Sequence, residues 1–172
     1  MLAENAHLLP RRGRALDLAC GLGGNALFLA ERGLETVAWD VSAVAIKRLE
    51  QYAGSRSLTI ETQVRDVVSL PPAPENFDVV VVCRFLDRTL ARSLPAALRA
   101  NGLLYYQTFI QNSFPPQGPR NPNYLLEENE LLRLFTDLTV CVYREEGRVG
   151  DIALGLRNEA MLVAQRRNGR WT

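Results

Sequence analysis

The chain has 172 residues, 47% hydrophobic and 23% charged, which suits one globular domain folding without disulfide or metal staples. Its 20 basic and 19 acidic residues leave a formal charge of +1, too little to attract phosphate backbones or anionic lipid in general. Three scattered cysteines and one histidine, in no C-x-x-C or H-x-x-x-H spacing, argue against a zinc site and suit a reducing cytosol better than a disulfide framework. No apolar run approaches the roughly 18 residues of a bilayer span, and Met1 to Pro10 lack the apolar core of a signal peptide. A cytoplasmic protein is expected, with no metal and with neither nucleic acid nor membrane as a partner.

Short apolar runs alternate with helical segments, the mark of βαβ units on a mainly parallel sheet. Residues 1–10, with Glu4, Asn5 and His7, are expected to be mobile. Ala15 to Ala19 reads as the first strand, followed by a glycine turn and a helix over Asn25 to Ala30 closed by Gly33. Glu35 to Asp40 is the second strand. Ser42 then caps a helix with Ile46, Leu49 and Ala53 at helical spacing and Gly54 at its end. Leu58, Ile60, Thr62 and Val64 alternate as a third strand ending before Asp66. After Pro71, Pro72 and Pro74 comes the unbroken run Phe77 to Val82, typical of a strand buried on both faces. Two short helices are expected up to about Ala100, the second starting near Pro95. Leu103 to Phe109 is the fifth strand, and Tyr105 and Tyr106 lie on opposite faces of it, so that one belongs to the core. Glu127 to Phe135 reads as a helix. Thr139 to Arg144 and Ala160 to Gln165 follow with no helix between them, most simply an antiparallel pair. No internal repeat or domain boundary interrupts 1–172, which is read as one domain.

The turn Asp17-Leu18-Ala19-Cys20-Gly21-Leu22-Gly23-Gly24-Asn25 joins strand to helix, where glycines let the backbone approach a ligand and the helix N-terminus offers free N–H groups. Gly21, Gly23 and Ala26 also fit the dinucleotide fingerprint, and Asp40 lies about 20 residues on, as a ribose-binding acid does. The fingerprint alone does not separate a nicotinamide from S-adenosylmethionine. Asp17 tips the balance, because a carboxylate there suits an ammonium and a sulfonium and repels a pyrophosphate. Asp66 adds a third acid at the same edge of the sheet, and the chain has no room for a separate substrate domain.

Those residues, with Trp39-Asp40-Val41-Ser42 and Arg65-Asp66-Val67, resemble the class I S-adenosylmethionine-dependent methyltransferases over about Arg14 to Gln165. The stretch from Gly21 to Asp40, with Pro119 to Leu126, is similar to the branch of the tellurite-resistance methyltransferases. The resemblance implies a doubly wound α/β fold, a Rossmann-like sheet of seven strands whose last strand is inserted antiparallel. It also implies S-adenosylmethionine as cofactor. Asp17, Ala19, Gly21 and Asn25 would lie toward the methionine end, Asp40 would hold the ribose hydroxyls, and Val41 would lie against the adenine. Asp66 would accept from the adenine amino group, Val67 would donate from its backbone, and Arg84 would border the methionine moiety. Ala19 departs from the glycine common in the family, and the N-terminus is shorter than the helical cap of relatives.

Methyl transfer from a sulfonium is an in-line displacement that needs alignment and exclusion of water rather than a dedicated triad. Cys20 and Cys83 read as packing residues rather than nucleophiles. The amine-methylating signature of nucleobase enzymes is absent after the fourth strand, where Cys83-Arg84-Phe85-Leu86 stands. A small-molecule acceptor is expected, and the branch resemblance points to a soft nucleophile, a tellurium or selenium oxyanion or a thiol. The acceptor site is placed under Ile110 to Leu126, where Pro115, Pro116, Pro119 and Pro122 exclude helix and central strand. There Phe114, Arg120 and Tyr124 form an aromatic-and-cation set, with Arg120 orienting the acceptor and Tyr124 shielding the methyl group. Acid–base assistance, where needed, would come from Tyr106, Tyr124 or a carboxylate. The rivals are a nicotinamide-dependent oxidoreductase and a non-catalytic S-adenosylmethionine-binding module.

Overall fold

The computed structural model describes residues 1–113 and 117–167. Seven strands form one sheet: β1 Arg14–Leu18, β2 Glu35–Asp40, β3 Ile60–Val64, β4 Phe77–Cys83, β5 Leu98–Phe109, β6 Thr139–Arg144 and β7 Glu159–Gln165. Their order is β3-β2-β1-β4-β5-β7-β6. The first five pair in parallel, and β7 runs antiparallel between β5 and β6. The order reverses between β1 and β4, which makes the crevice above their carboxyl ends the expected place for a ligand.

The sheet's period of two sorts its side chains into two layers. Leu16, Leu18, Val80, Val82, Leu104 and Tyr106 face helices α3 Ser93–Ala97 and α4 Glu130–Leu134. Ala15, Val79, Val81, Leu103 and Tyr105 face α1 Gly24–Glu31, while α2 Ala43–Ser55 packs on α1 and β2 through Leu49 and Ala53. Both faces of β4 are covered, so Val79 to Val82 are wholly buried. Tyr105 and Tyr106 are both core residues, 0% and 2% exposed, rather than one of the two, because β5 is sandwiched between the same layers.

Local signals match at α2, where the Ser42 hydroxyl accepts the Ala45 N–H at 3.3 Å, and at α1, which ends before a left-handed Gly33 (φ +80°). Gly54 does not close α2. The helix runs through it to Ser55, and the left-handed residue is Ser57. The helical stretch expected up to Ala100 ends at Ala97, since Leu98 joins β5 and pairs with Phe77. The helix expected from Glu127 is shorter at the start, for Asn129 is left-handed (φ +57°) and the Glu130 carboxylate turns back to accept the Glu127 N–H at 2.8 Å.

Residues 1–10, read from sequence as mobile, pack onto the sheet. Leu2 is 4% exposed, Leu8 and Leu9 lie against the Tyr105 layer, and the Tyr105 hydroxyl donates to the Asn5 carbonyl at 3.1 Å. Three leucines supply enough apolar surface to order this segment, an anchoring that its polar residues concealed.

Candidate active site

The turn after β1 is built by its own backbone. Ala19, Gly21 and Gly23 all take positive φ, and Gly23 caps α1. The two glycines do different work. A Cβ on Gly23 would lie 2.3 Å from Leu49, so Gly23 lets α1 pack on α2, whereas a Cβ on Gly21 would meet nothing within 4 Å. Gly21 therefore faces open space at the sheet edge, where a ligand can approach its backbone.

Asp17 lies beneath that turn at 1% exposure, its Oδ2 accepting the Ala26 N–H at 2.9 Å. Its Oδ1 is buried and has no hydrogen-bond partner. Burial pushes its pKa up to about 7, with the charge of Asp40 adding to the rise and bonds from Ala26 and Asn25 opposing it. The group is thus poised between acid and carboxylate near neutrality, and a nearby cation favours the carboxylate. Asn25, at the start of α1, is beside this pair.

Asp40 ends β2 and ties the turn to it. Its Oδ2 accepts the Gly21 N–H at 2.7 Å and its Oδ1 accepts the Ser42 N–H at 2.8 Å. Each oxygen keeps a further lone pair, enough for two hydroxyl donors. Asp40, Val41, Asp66, Val67, Ala19 and Phe85 line one pocket of about 310 Å³. Within it Asp66 also shapes its own loop, accepting the Val68 N–H at 3.0 Å and the Ser69 hydroxyl at 2.6 Å. Those bonds, the Ser69 hydroxyl first, hold its carboxyl below the usual range.

Arg84 follows β4 in a left-handed conformation (φ +56°), its Nε bonded to Glu159 at 2.9 Å and its guanidinium 5.7 Å from the Phe109 ring. Glu159, 6% exposed, also accepts from Gln107. Arg84 thus stands just past the carboxyl end of β4, anchored by a partner 75 residues away that no motif announced. Burial pushes the Cys20 and Cys83 thiols up, which suits packing rather than nucleophilic attack.

Tyr106 does not join the site. Its ring packs on Phe135 with centroids 5.4 Å apart, its hydroxyl donates to the Phe85 carbonyl at 3.0 Å, and burial pushes the phenol up. This phenol is 2% exposed and does not line the 310 Å³ pocket. Arg120 is exposed and Tyr124 is 54% exposed in the 3-10 turn Pro122–Tyr124, and neither lines the 310 Å³ pocket. Phe114, Pro115 and Pro116 lie outside the described residues.

Arg88, which the sequence reading missed, holds the Pro122–Tyr124 segment. It donates to the Asn123 carbonyl at 2.6 Å and the Leu125 carbonyl at 3.0 Å, and it grips Glu130 through Nε and Nη2 at 2.6 and 2.9 Å. Backbone bonds between Leu126 and Phe109 and between Gln111 and Leu126, each 2.9 Å, close the base of the loop.

Known proteins resemble this chain in both sequence and fold. Residues 15–102 fit the model of a methyltransferase domain family. The chain belongs to that family. This methyltransferase domain is 34% identical over 104 residues to a 2-heptyl-1-hydroxyquinolin-4(1H)-one methyltransferase of Mycobacteroides abscessus, covering 60% of this chain and 42% of that protein. It is 26% identical over 138 residues to a probable S-adenosyl-L-methionine-dependent methyltransferase, TehB, of Haemophilus influenzae, covering 77% of this chain and 48% of the relative. The chain spans less than half the length of these two curated relatives. Among solved structures, the crystal structure of TehB from H. influenzae superposes with a TM-score of 0.77 at 19% identity, over 96% of this chain and 61% of that one. An S-adenosylmethionine-dependent methyltransferase from Methanosarcina mazei does so at 0.75 and 22% identity, over 97% and 98%. The family makes S-adenosylmethionine the cofactor. The acceptor set fits it, with an unpartnered buried Asp17 oxygen and free lone pairs on Asp40. No helix among the described residues is long and apolar enough to cross a membrane.

Proposed function

We propose that the chain transfers the methyl group of S-adenosylmethionine to a small-molecule acceptor carrying a soft or anionic nucleophile, such as a selenium or tellurium oxyanion or a thiol. The acceptor attacks the methyl carbon, the carbon–sulfur bond breaks with its electrons going to sulfur, and S-adenosylhomocysteine leaves. The observation that carries this reading is that Asp40 and Asp66 line one pocket beside the open backbone of Gly21. Asp40 holds the ribose, Val41 lies against the adenine, Val67 donates to the base from its backbone, and Asp66 accepts from its amino group. Asp17, Ala19, Gly21 and Asn25 form the methionine end, which Arg84 borders. Arg120 and Tyr124, on the strap held by Arg88, attend the acceptor. The hydroxylated quinolone named for the M. abscessus relative adds an N-hydroxyl oxygen to the acceptors to be tried. Three free cysteines accord with action in the reducing cytoplasm.

The test has two parts. Calorimetry should show S-adenosylmethionine and S-adenosylhomocysteine binding and NADH failing to bind, and the reverse preference would establish the oxidoreductase reading. Incubation with S-adenosylmethionine and selenite, tellurite, simple thiols or the hydroxyquinolone should then yield S-adenosylhomocysteine by mass spectrometry. Binding without product from any of them would favour a non-catalytic module.

A further inference from the structure

We propose that Arg65 is the purine platform of this site, a flat cation held on the Trp39 indole whose open face stacks the adenine. The inference rests on the reading of the 310 Å³ pocket as the adenine site. Arg65 follows β3, and its own N–H bonds to the Asp40 carbonyl at 2.8 Å, which sets it beside the ribose acid. Its guanidinium carbon lies 3.9 Å from the centre of the Trp39 ring. All three guanidinium nitrogens are engaged: Nε donates to the Leu70 carbonyl at 2.8 Å, Nη2 to the Pro71 carbonyl at 2.9 Å and Nη1 to the Gln63 amide oxygen at 3.3 Å.

Arg65 lines the pocket, whereas Trp39, 5% exposed and covered by the Arg65 guanidinium, does not. With the guanidinium edge used for hydrogen bonds, what Arg65 offers a ligand is its face. A guanidinium is planar and weakly hydrated and stacks on π-systems, which a lysine ammonium does not. A purine has such a face. The labour is thereby divided, with Asp66 reading the amino edge of the base and Arg65 carrying its plane.

Three ligands separate this role from mere support of the 66–71 loop: S-adenosylhomocysteine, S-inosylhomocysteine (an oxo group in place of the amino group) and S-ribosylhomocysteine (no base). In Arg65→Met the first two should weaken by the same factor, roughly tenfold, since stacking one base is worth about 1–3 kcal/mol. The ratio between them should not change, and S-ribosylhomocysteine should bind within about twofold of wild type. Arg65→Lys, which keeps the charge and loses the plane, should lose as much, and either variant suffices if the other does not fold. A collapsed adenosyl-to-inosyl ratio would overturn the proposal in favour of loop support by Arg65, and full affinity in Arg65→Lys would overturn it in favour of charge alone. A wild-type protein that binds S-adenosylhomocysteine no better than S-ribosylhomocysteine would instead remove the adenine assignment of the pocket.

Discussion

Replacing Asp17 with Asn should change how the stability of the protein responds to pH. Asp17 is 1% exposed, one oxygen accepts the Ala26 N–H and the other is unpartnered, so burial dominates and raises its pKa from 3.8 to about 7. The stability this group contributes is full below pH 3.8, where folded and unfolded chains both hold the proton. It falls as pH rises and is gone above about 7, where both have released it. At about 1.36 kcal/mol per pH unit the whole swing is on the order of 4 kcal/mol. Asn keeps the shape and an acceptor for Ala26 but places an amide where the unpartnered oxygen lies. That costs about 1–3 kcal/mol at every pH and does not alter the slope. Urea unfolding of wild type and Asp17→Asn from about pH 4.5 to 8.5 should move the difference in stability by about 3 kcal/mol in favour of the variant. Curves that stay parallel to within about 0.5 kcal/mol would show that Asp17 is an ordinary carboxylate and refute the reasoning. The same linkage predicts that S-adenosylmethionine, by favouring the carboxylate, expels about half a proton on binding at pH 7, and that Asp17→Asn abolishes that release. Calorimetry in two buffers of different ionisation enthalpy measures it.

Asp40→Ala should weaken S-adenosylmethionine by tenfold or more in calorimetry, since charge-assisted hydrogen bonds are worth about 1.5–3 kcal/mol each. It should also cost about 1–2 kcal/mol of stability, because Gly21 and Ser42 lose their acceptor. Gly23→Ala should destabilise by about 2 kcal/mol or more through the clash with Leu49, whereas Gly21→Ala should cost only about 1 kcal/mol of stability yet lose more affinity than Gly23→Ala. Paired thermal melts and titrations compare the two. Arg88→Ala leaves the buried Glu130 carboxylate without its cation and should cost about 2 kcal/mol or more, with faster amide exchange at 121–126 and unchanged cofactor affinity. Undiminished protection of that segment would show that Arg88 does not hold it.

The elements that sequence reading placed well have local causes. The Phe77 to Val82 run, the Ser42 cap, the Gly33 terminus and the order of strands and helices depend on period, capping and φ within a few residues. The misplacements share a cause as well. Leu98 to Asn101 continue β5 because Leu98 pairs with Phe77, and α4 starts late because Asn129 turns left-handed and the Glu130 carboxylate occupies the Glu127 N–H. Tyr106 looked available for proton transfer because a strand pattern shows which residues share a face, not which faces are covered.

By itself, then, the sequence determined the parallel α/β framework, the glycine turn and the strand-end acids, since each follows from residue type at short spacing. Tertiary structure alone decided what surrounds those residues. It set Arg65 on Trp39, tied Arg84 to Glu159 across 75 residues and Arg88 to Glu130 across 42, and anchored Asn5 to Tyr105 across 100. It also decided the charge of Asp17. A pKa is a balance of burial against partners, and burial exists only once distant segments have closed around the group.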